Sequence, residues 1–317
     1  MKALTWLFWA AGFLLLFFLF LRLDPAVVWD SLRRVGWTGF VLVLASGLIL
    51  TACLATGLYP LLSGSHKISI GLVFAARQIR DSAGDILPFT QIGGMALGMR
   101  VLVLGGVAPA RAIAAGVVDV TTEMIAQGLF ILLGIALAAP AIASDPVLGP
   151  YLGWLEGFAV LFAVAILGFA ILQLAGSHLA EKWLAPRGVG ASAASFRAAL
   201  HHLYRQRSRV ALSVALHFLG WCVSGLWLWV VCWALGKSLS PLSAIAVQSL
   251  LEGLRSAMVF VPAAVGIQEA GYAALVPLFG LTPETGLAIS ILRRARDIAI
   301  GVPVLLLWHV AEARRAR

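Results

Sequence analysis

"ISILRRARDIAIGVPVLLLW", residues 289–308, decides how this chain is read. Its length and apolar character are those of a helix that crosses a bilayer, which takes about 20 residues. Yet Arg293, Arg294, Arg296 and Asp297 stand near its middle. One charged side chain at mid-bilayer costs roughly 2.5–3.5 kcal/mol on insertion scales. Four of them are tolerable only against protein partners or a hydrated cavity. The chain must therefore surround this helix with others and bring it counter-charges.

The composition agrees. Of 317 residues, 61% are hydrophobic and 12% charged, and the mean hydropathy is +0.98. A soluble core needs far less apolar surface, so lipid is part of the solvent. Apolar residues come in long runs and not in alternation, which excludes a β-barrel. The expected fold is all-α and polytopic. The net charge of +9 does not indicate nucleic acid, because the basic residues gather at span ends, where they set topology and meet anionic lipid heads. Cys53, Cys222 and Cys232 lie in apolar runs without paired spacing, as inert cysteines do.

Six runs are long enough to cross: Ala3–Leu21, Trp37–Leu62, Pro109–Ala139, Leu152–Leu174, Val210–Leu235 and Pro283–Val310. The first is expected to be a retained span and not a signal peptide, since no small-residue cleavage site follows it. Two further stretches, His66–Val107 and Ser240–Leu281, are apolar but broken by Pro and Gly. Backbone groups freed by Pro survive at membrane depth only against protein or a wet cavity. Re-entrant helix pairs are expected there. Lys and Arg number 14 on the side shared by both termini and 5 on the other, so both termini are expected in the cytoplasm. The basic segment "HLAEKWLAPRGVGASAASFRAALHHLYRQRSR", residues 178–209, is expected to lie on the inner leaflet.

A shift of 174 residues lays Trp37–Leu62 on 211–236, Pro88 on Pro262, Gly106 on Gly280 and Pro109 on Pro283. What repeats is the punctuation: spans, broken pair, span. With an odd number of full spans per half, the second half (141–317) would be inverted relative to the first (1–140). Inverted halves with discontinuous helices are a recurring transporter architecture, with the site at the repeat interface.

The third run carries Asp119 and Glu123, one helical turn apart on one face. Under the shift they fall on Arg293 and Asp297. If the third and sixth spans meet at the repeat axis, Asp119 and Glu123 pair with Arg293, Arg296 and Asp297. The cavity so formed would accept a charged head group, whose phosphate suits the planar guanidinium fork. Glu252, Arg255, Gln268 and Glu269 from the second broken stretch could line it, as could Arg77, Arg80, Asp81, Asp85 and Gln91 from the first. The competing reading is an ion-pair network that only locks the halves. The six histidines are scattered, neither HExxH nor GxSxG occurs, and no nucleotide motif is present. No catalytic residue, metal or cofactor is expected. With no nucleotide site, Asp119 and Glu123 are candidate proton carriers.

"VPAAVGIQEAGYAAL", residues 261–275, resembles the Pro-Gly-Gly-x-Gly-x-x-Glu signature of the flippase-like family that includes the transmembrane region of lysylphosphatidylglycerol synthases. Pro262, Gly266 and Glu269 match it; Ala263 and Ala264 stand where the signature has glycines. "DSAGDILPFTQIGGMALGMRVLVLGGVAPARAIAAGVVDVTTE", residues 81–123, is similar to the branch associated with hopanoid biosynthesis. The resemblance implies a bacterial inner-membrane protein that moves a polar-headed lipid, either a phospholipid or a hopanoid derivative. Only "HVAEARRAR" follows Trp308, so the expectation is translocation without the soluble aminoacyl-transferring domain. Membrane lipids, and lipid-biosynthesis proteins, are the expected partners. An intramembrane lipid-modifying enzyme and a scaffold for lipid synthesis are the alternatives.

Overall fold

A computed structural model describes residues 25–63, 68–86, 91–144, 190–258, 261 and 264–315, with scattered positions between 146 and 172. The expected first span, most of the fourth, the loop around 175–189, and Pro88 and Pro262 lie outside the described residues. Within them all regular structure is helical. The helices are α1 (Pro25–Thr56), α2 (Tyr59–Leu62), α3 (Ile70–Ile86), α4 (Gln91–Leu104), α5 (Pro109–Ser144), α6 (Gly190–Arg205), α7 (Arg207–Ala234), α8 (Pro241–Ala257), α9 (Ile267–Leu275) and α10 (Pro283–Arg315).

Three described helices are long and apolar enough to cross a membrane: α1, α5 and α7. The fourth long helix, α10, has 33 residues and carries the charged stretch at its middle. Its apolar first turns, Leu287, Ala288, Ile289 and Leu292, are buried in one core cluster with Trp227 and Val231 of α7. The span expected from Trp37 begins earlier, at Pro25. Gly36 bends the helix there with φ 58°, in the left-handed region that glycine enters without strain. Before the bend, Val28, Ser31 and Val35 face inward, while Trp29, Arg33 and Arg34 face out. The Arg33 guanidinium lies 5.5 Å from the Trp29 ring centre. Aromatic and basic side chains of this kind belong at the membrane–water boundary.

Both broken stretches form helices too short to span alone. α3 and α4 have 17 and 14 residues, about 25 and 21 Å at 1.5 Å per residue, against a hydrocarbon core of about 30 Å. They run antiparallel with backbones in close approach. A Cβ on Gly94 would fall 2.4 Å from the Arg80 carbonyl oxygen, and one on Gly98 2.9 Å from that of Ala76. α9, at nine residues, folds back likewise along α10, with Gly286 against the Tyr272 carbonyl.

The turn before each long charged helix is the same turn. Val107 donates to the Leu102 carbonyl and Gly106 to that of Val103, each at 3.0 Å; Leu281 donates to Val276 at 3.3 Å and Gly280 to Pro277 at 3.1 Å. The two sets are 174 residues apart, atom for atom. Gly106 and Gly280 both have positive φ, 94° and 80°, and α5 and α10 both start on Pro three residues later, where the ring's fixed φ suits a first helical position.

Two packing arrangements position the site. α1 and α7 run antiparallel along their length: Gly39 meets Ala234, the Trp227 indole donates to the Val43 carbonyl at 3.3 Å, Gly220 meets Leu54 and Gly57 meets His217. Each long charged helix packs on the broken pair distant in sequence, α5 on α8 and α10 on α3. Gly134 sits against Ser249 in the first crossing and Gly301 against Ser82 and Ile86 in the second.

Gly286 tests the tightest crossing. A Cβ there would lie 2.5 Å from a backbone oxygen that has no room to yield. Gly286→Ala is expected to destabilise by about 1–3 kcal/mol, read as a lower apparent Tm in detergent. Gly253→Ala, whose Cβ would meet Ile131 at an ordinary 3.5 Å, should leave the Tm unchanged or raise it slightly.

Candidate functional site

The charged residues fall into two networks. In the first, α3 presents Arg77 and Arg80 on successive turns of one face, and α5 presents Asp119 and Glu123. Arg77 donates to Glu123 Oε1 at 2.6 Å and to Asp81 at 2.7 Å. Arg80 donates to Asp119 Oδ2 at 2.9 Å and also grips Glu123 Oε2. The other Asp119 oxygen is bonded to His217 Nε2 at 2.9 Å. One turn earlier on α7, Ser213 bonds Thr122 at 2.8 Å. Asp119 and His217 are fully buried, at 2% and 0% exposure.

In the second network the signs are exchanged. The carboxylate, Glu252, is on the short helix α8, and Arg293 is on the long helix α10, 3.0 Å away. Arg255 reaches Glu252 at 3.2 Å. Gln248 donates to Glu252 at 2.9 Å, and Tyr272 bridges Gln248 to Arg293. α3 and α5, and likewise α8 and α10, are not among the closely packed helix pairs. The arginines thus reach across a gap in each case.

Asp85 joins the two. Its side chain is exposed at the end of α3, and the charges of Asp297, Arg255, Asp81 and Arg293 all act on it. Beside the first network, Leu58, Arg77, Arg80, Met95, Met99 and Asp119 line a cavity of about 30 Å³, room for a water.

The expected cross-pairing of Asp119 and Glu123 with Arg293, Arg296 and Asp297 does not occur. The helices that meet in the middle are α1 and α7, not the third and sixth spans, so Asp119 and Glu123 face α3 instead. Arg296 bonds its neighbour Asp297 at 2.6 Å, and its guanidinium lies 4.3 Å from the Trp227 ring centre, with its stem against Gly47. It is wedged between α1 and α7. Glu269 is also spoken for. It accepts from the Gly266 amide at 2.8 Å, from Ser290 at 3.0 Å and from Arg294 at 2.5 Å, which caps α9 and pins it to α10. Gln268 bonds Ser290 at 2.7 Å. The side chain of Gln91 lies outside the described residues.

Sequence reasoning passed over three participants. Arg294 was part of the quoted stretch, but Glu269 is its partner 25 positions away. Tyr272 and His217 carried no local signal, since each meets its partners only through tertiary packing. Among the described residues, no three His, Cys, Asp or Glu side chains gather as a metal ion needs.

Fold and site together define an all-α, multi-pass membrane protein whose buried charges on long helices are met by counter-charges on helices too short to span. A model of the lysylphosphatidylglycerol synthase transmembrane region matches residues 5–304, and the chain belongs to that family. It is thereby a membrane protein related to lipid handling. No curated protein and no solved structure matches it.

Two measurements test this geometry. In double-mutant cycles, Glu252→Gln and Arg293→Gln are expected to couple by about 0.5–3 kcal/mol, and Asp119→Asn with Arg293→Gln to add within about 0.5 kcal/mol. Ala264 holds φ 47° beside Gly266, a left-handed conformation that strains any side chain. Ala264→Gly is expected to raise stability by up to about 1 kcal/mol, seen as a higher apparent Tm.

Proposed function

We propose that the protein is a lipid transporter that moves a polar-headed lipid between leaflets of the bacterial inner membrane, without chemical change to the lipid. The single observation behind this is the two-signed pair of networks: buried arginines and carboxylates shared between half-length helices and the long apolar helices opposite them, with exposed Asp85 under the influence of both. A polar head group that leaves water needs such a two-signed site, because each of its charges requires a counter-charge when desolvated. Arg255 and Arg293 offer guanidinium forks for a phosphate; exposed Asp85, within the field of both, offers an acceptor for amines or hydroxyls.

The transport reading goes with two inverted halves, 1–140 and 141–317. The 174-residue repeat of the turn and the antiparallel run of α1 against α7 support that arrangement, since an inverted pair of equivalent helices must oppose each other in direction. Both termini would be cytoplasmic. The cargo is a phospholipid or, by resemblance to the hopanoid-associated branch, a polar-headed hopanoid. Lipids are the only partners the mechanism requires.

Purified protein in liposomes carrying fluorescent lipids provides the test. Scrambling between leaflets is expected, reduced roughly tenfold or more by Arg293→Gln or Asp85→Asn in variants that still fold. A chemically altered lipid would indicate an intramembrane enzyme. Unchanged lipid with no leaflet movement would indicate a scaffold.

A further inference from the structure

Arg111 and Arg209 stand at one end of the helix bundle, apart from both charge networks. Arg111 is in the first turn of α5 and Arg209 in the first turn of α7, two helices long enough to cross a membrane. Arg111 Nη2 donates to the Leu62 carbonyl at 2.6 Å and to that of Ser63 at 3.3 Å. Arg209 Nη1 grips the same Ser63 carbonyl. A single oxygen thus holds both guanidinium groups close together.

Electrostatics opposes this arrangement. Like charges repel, and the start of a helix is its positive end, where cations are disfavoured. Neither α5 nor α7 has an acidic residue in its first turn. Among the described residues, Arg111 and Arg209 bond only the Leu62 and Ser63 carbonyls, and no carboxylate pairs with either. Basic residues at span ends commonly do no more than set topology, but those are free to spread apart in water. These two are half-buried and converge on one acceptor. Their unused donors, Nε and Nη1 of Arg111 and Nε and Nη2 of Arg209, are not enclosed by protein.

The surroundings are basic as well. α6 packs on the same stretch of α5, with Leu200 and Leu203 buried in one core cluster with Ala112, Ala114 and Ala115. Its His201, His202 and Arg205 face outward, and Arg207 at the start of α7 is exposed too.

We propose that Arg111 and Arg209 form a docking site for the phosphate of an anionic lipid in the leaflet that meets this end of the bundle. Phosphate oxygens suit two guanidinium groups, each with parallel N–H donors to give. A membrane surface supplies anionic head groups at the level where spanning helices begin. The bound phosphate offsets the repulsion between the arginines and ties the first turns of α5 and α7 together. This lipid is a resident ligand and not cargo. The site lies about 12 Å along α5 from Asp119, at 1.5 Å per residue, and does not depend on the transport reading.

Native mass spectrometry of the purified chain in detergent provides the test, with phosphatidylglycerol, phosphatidylcholine and inorganic phosphate as probes. The wild type is expected to retain phosphatidylglycerol more tightly than phosphatidylcholine. Arg111→Lys/Arg209→Lys is expected to weaken that retention about fivefold or more, because it keeps both charges and loses both forks. An unchanged apparent Tm without lipid checks that the variant folds; the single change Arg209→Lys, expected to act in the same direction, serves where it does not. Arg33→Gln removes an exposed charge elsewhere on the molecule and should change nothing. Undiminished retention in the lysine variants, or an equal loss in Arg33→Gln, overturns the site and leaves the pair as topology-setting charge. Equal retention of phosphatidylcholine overturns the anionic ligand. Displacement of the lipid by inorganic phosphate at matched concentration overturns the lipid in favour of a soluble phosphate. Retention lost in Arg293→Gln but kept in the lysine variants assigns the lipid to the proposed transport site and overturns this one alone.

Discussion

The grip of Arg77 and Arg80 on Glu123 is the constraint around which the described structure is arranged. A carboxylate at this depth loses its water, and the loss exceeds any single Coulombic gain unless both oxygens find donors. Two arginines on successive turns of one short helix supply them. To do so, α3 must stop short of spanning, stand opposite α5, and keep its backbone far enough away for two long side chains to fit between. The glycine-faced return of α4 and the turn at Gly106 follow from that requirement. The same logic, with signs reversed, sets α8, α9 and α10 around Glu252 and Arg293.

Much of this could be read from residues. The long apolar runs gave the helices, and the charges inside them showed that something must face them. The signature Gly266 and Glu269 marked a special place, and the structure shows its physics: Gly266 takes the positive φ, and Glu269 closes the first turn by accepting its amide. Ala264 at φ 47° shows what a glycine there would relieve. The 174-residue shift located a turn whose hydrogen bonds repeat.

Partner choice was not legible. Periodicity says which face of α5 bears Asp119, but not which helix lies opposite. That depended on α1 and α7 taking the middle, and the glycines that permit it, Gly39, Gly57 and Gly220, look in sequence like any others in an apolar run. His217 was invisible for the same reason. A histidine 98 positions from its carboxylate leaves no spacing to detect, and only the seat beside Gly57 brings the ring within reach.

On the proposed reading of two inverted halves, the exchanged signs have an evolutionary consequence. An assembly of two identical half-length chains would carry the same residue at both equivalent places, so residues 119 and 293 would both be acidic or both be basic. Here one is Asp and the other Arg. Such a division of labour is open only to a molecule whose two copies are encoded separately, as after fusion into one polypeptide. Separate encoding of the two halves is then what allows residue 119 to be acidic while residue 293 is basic.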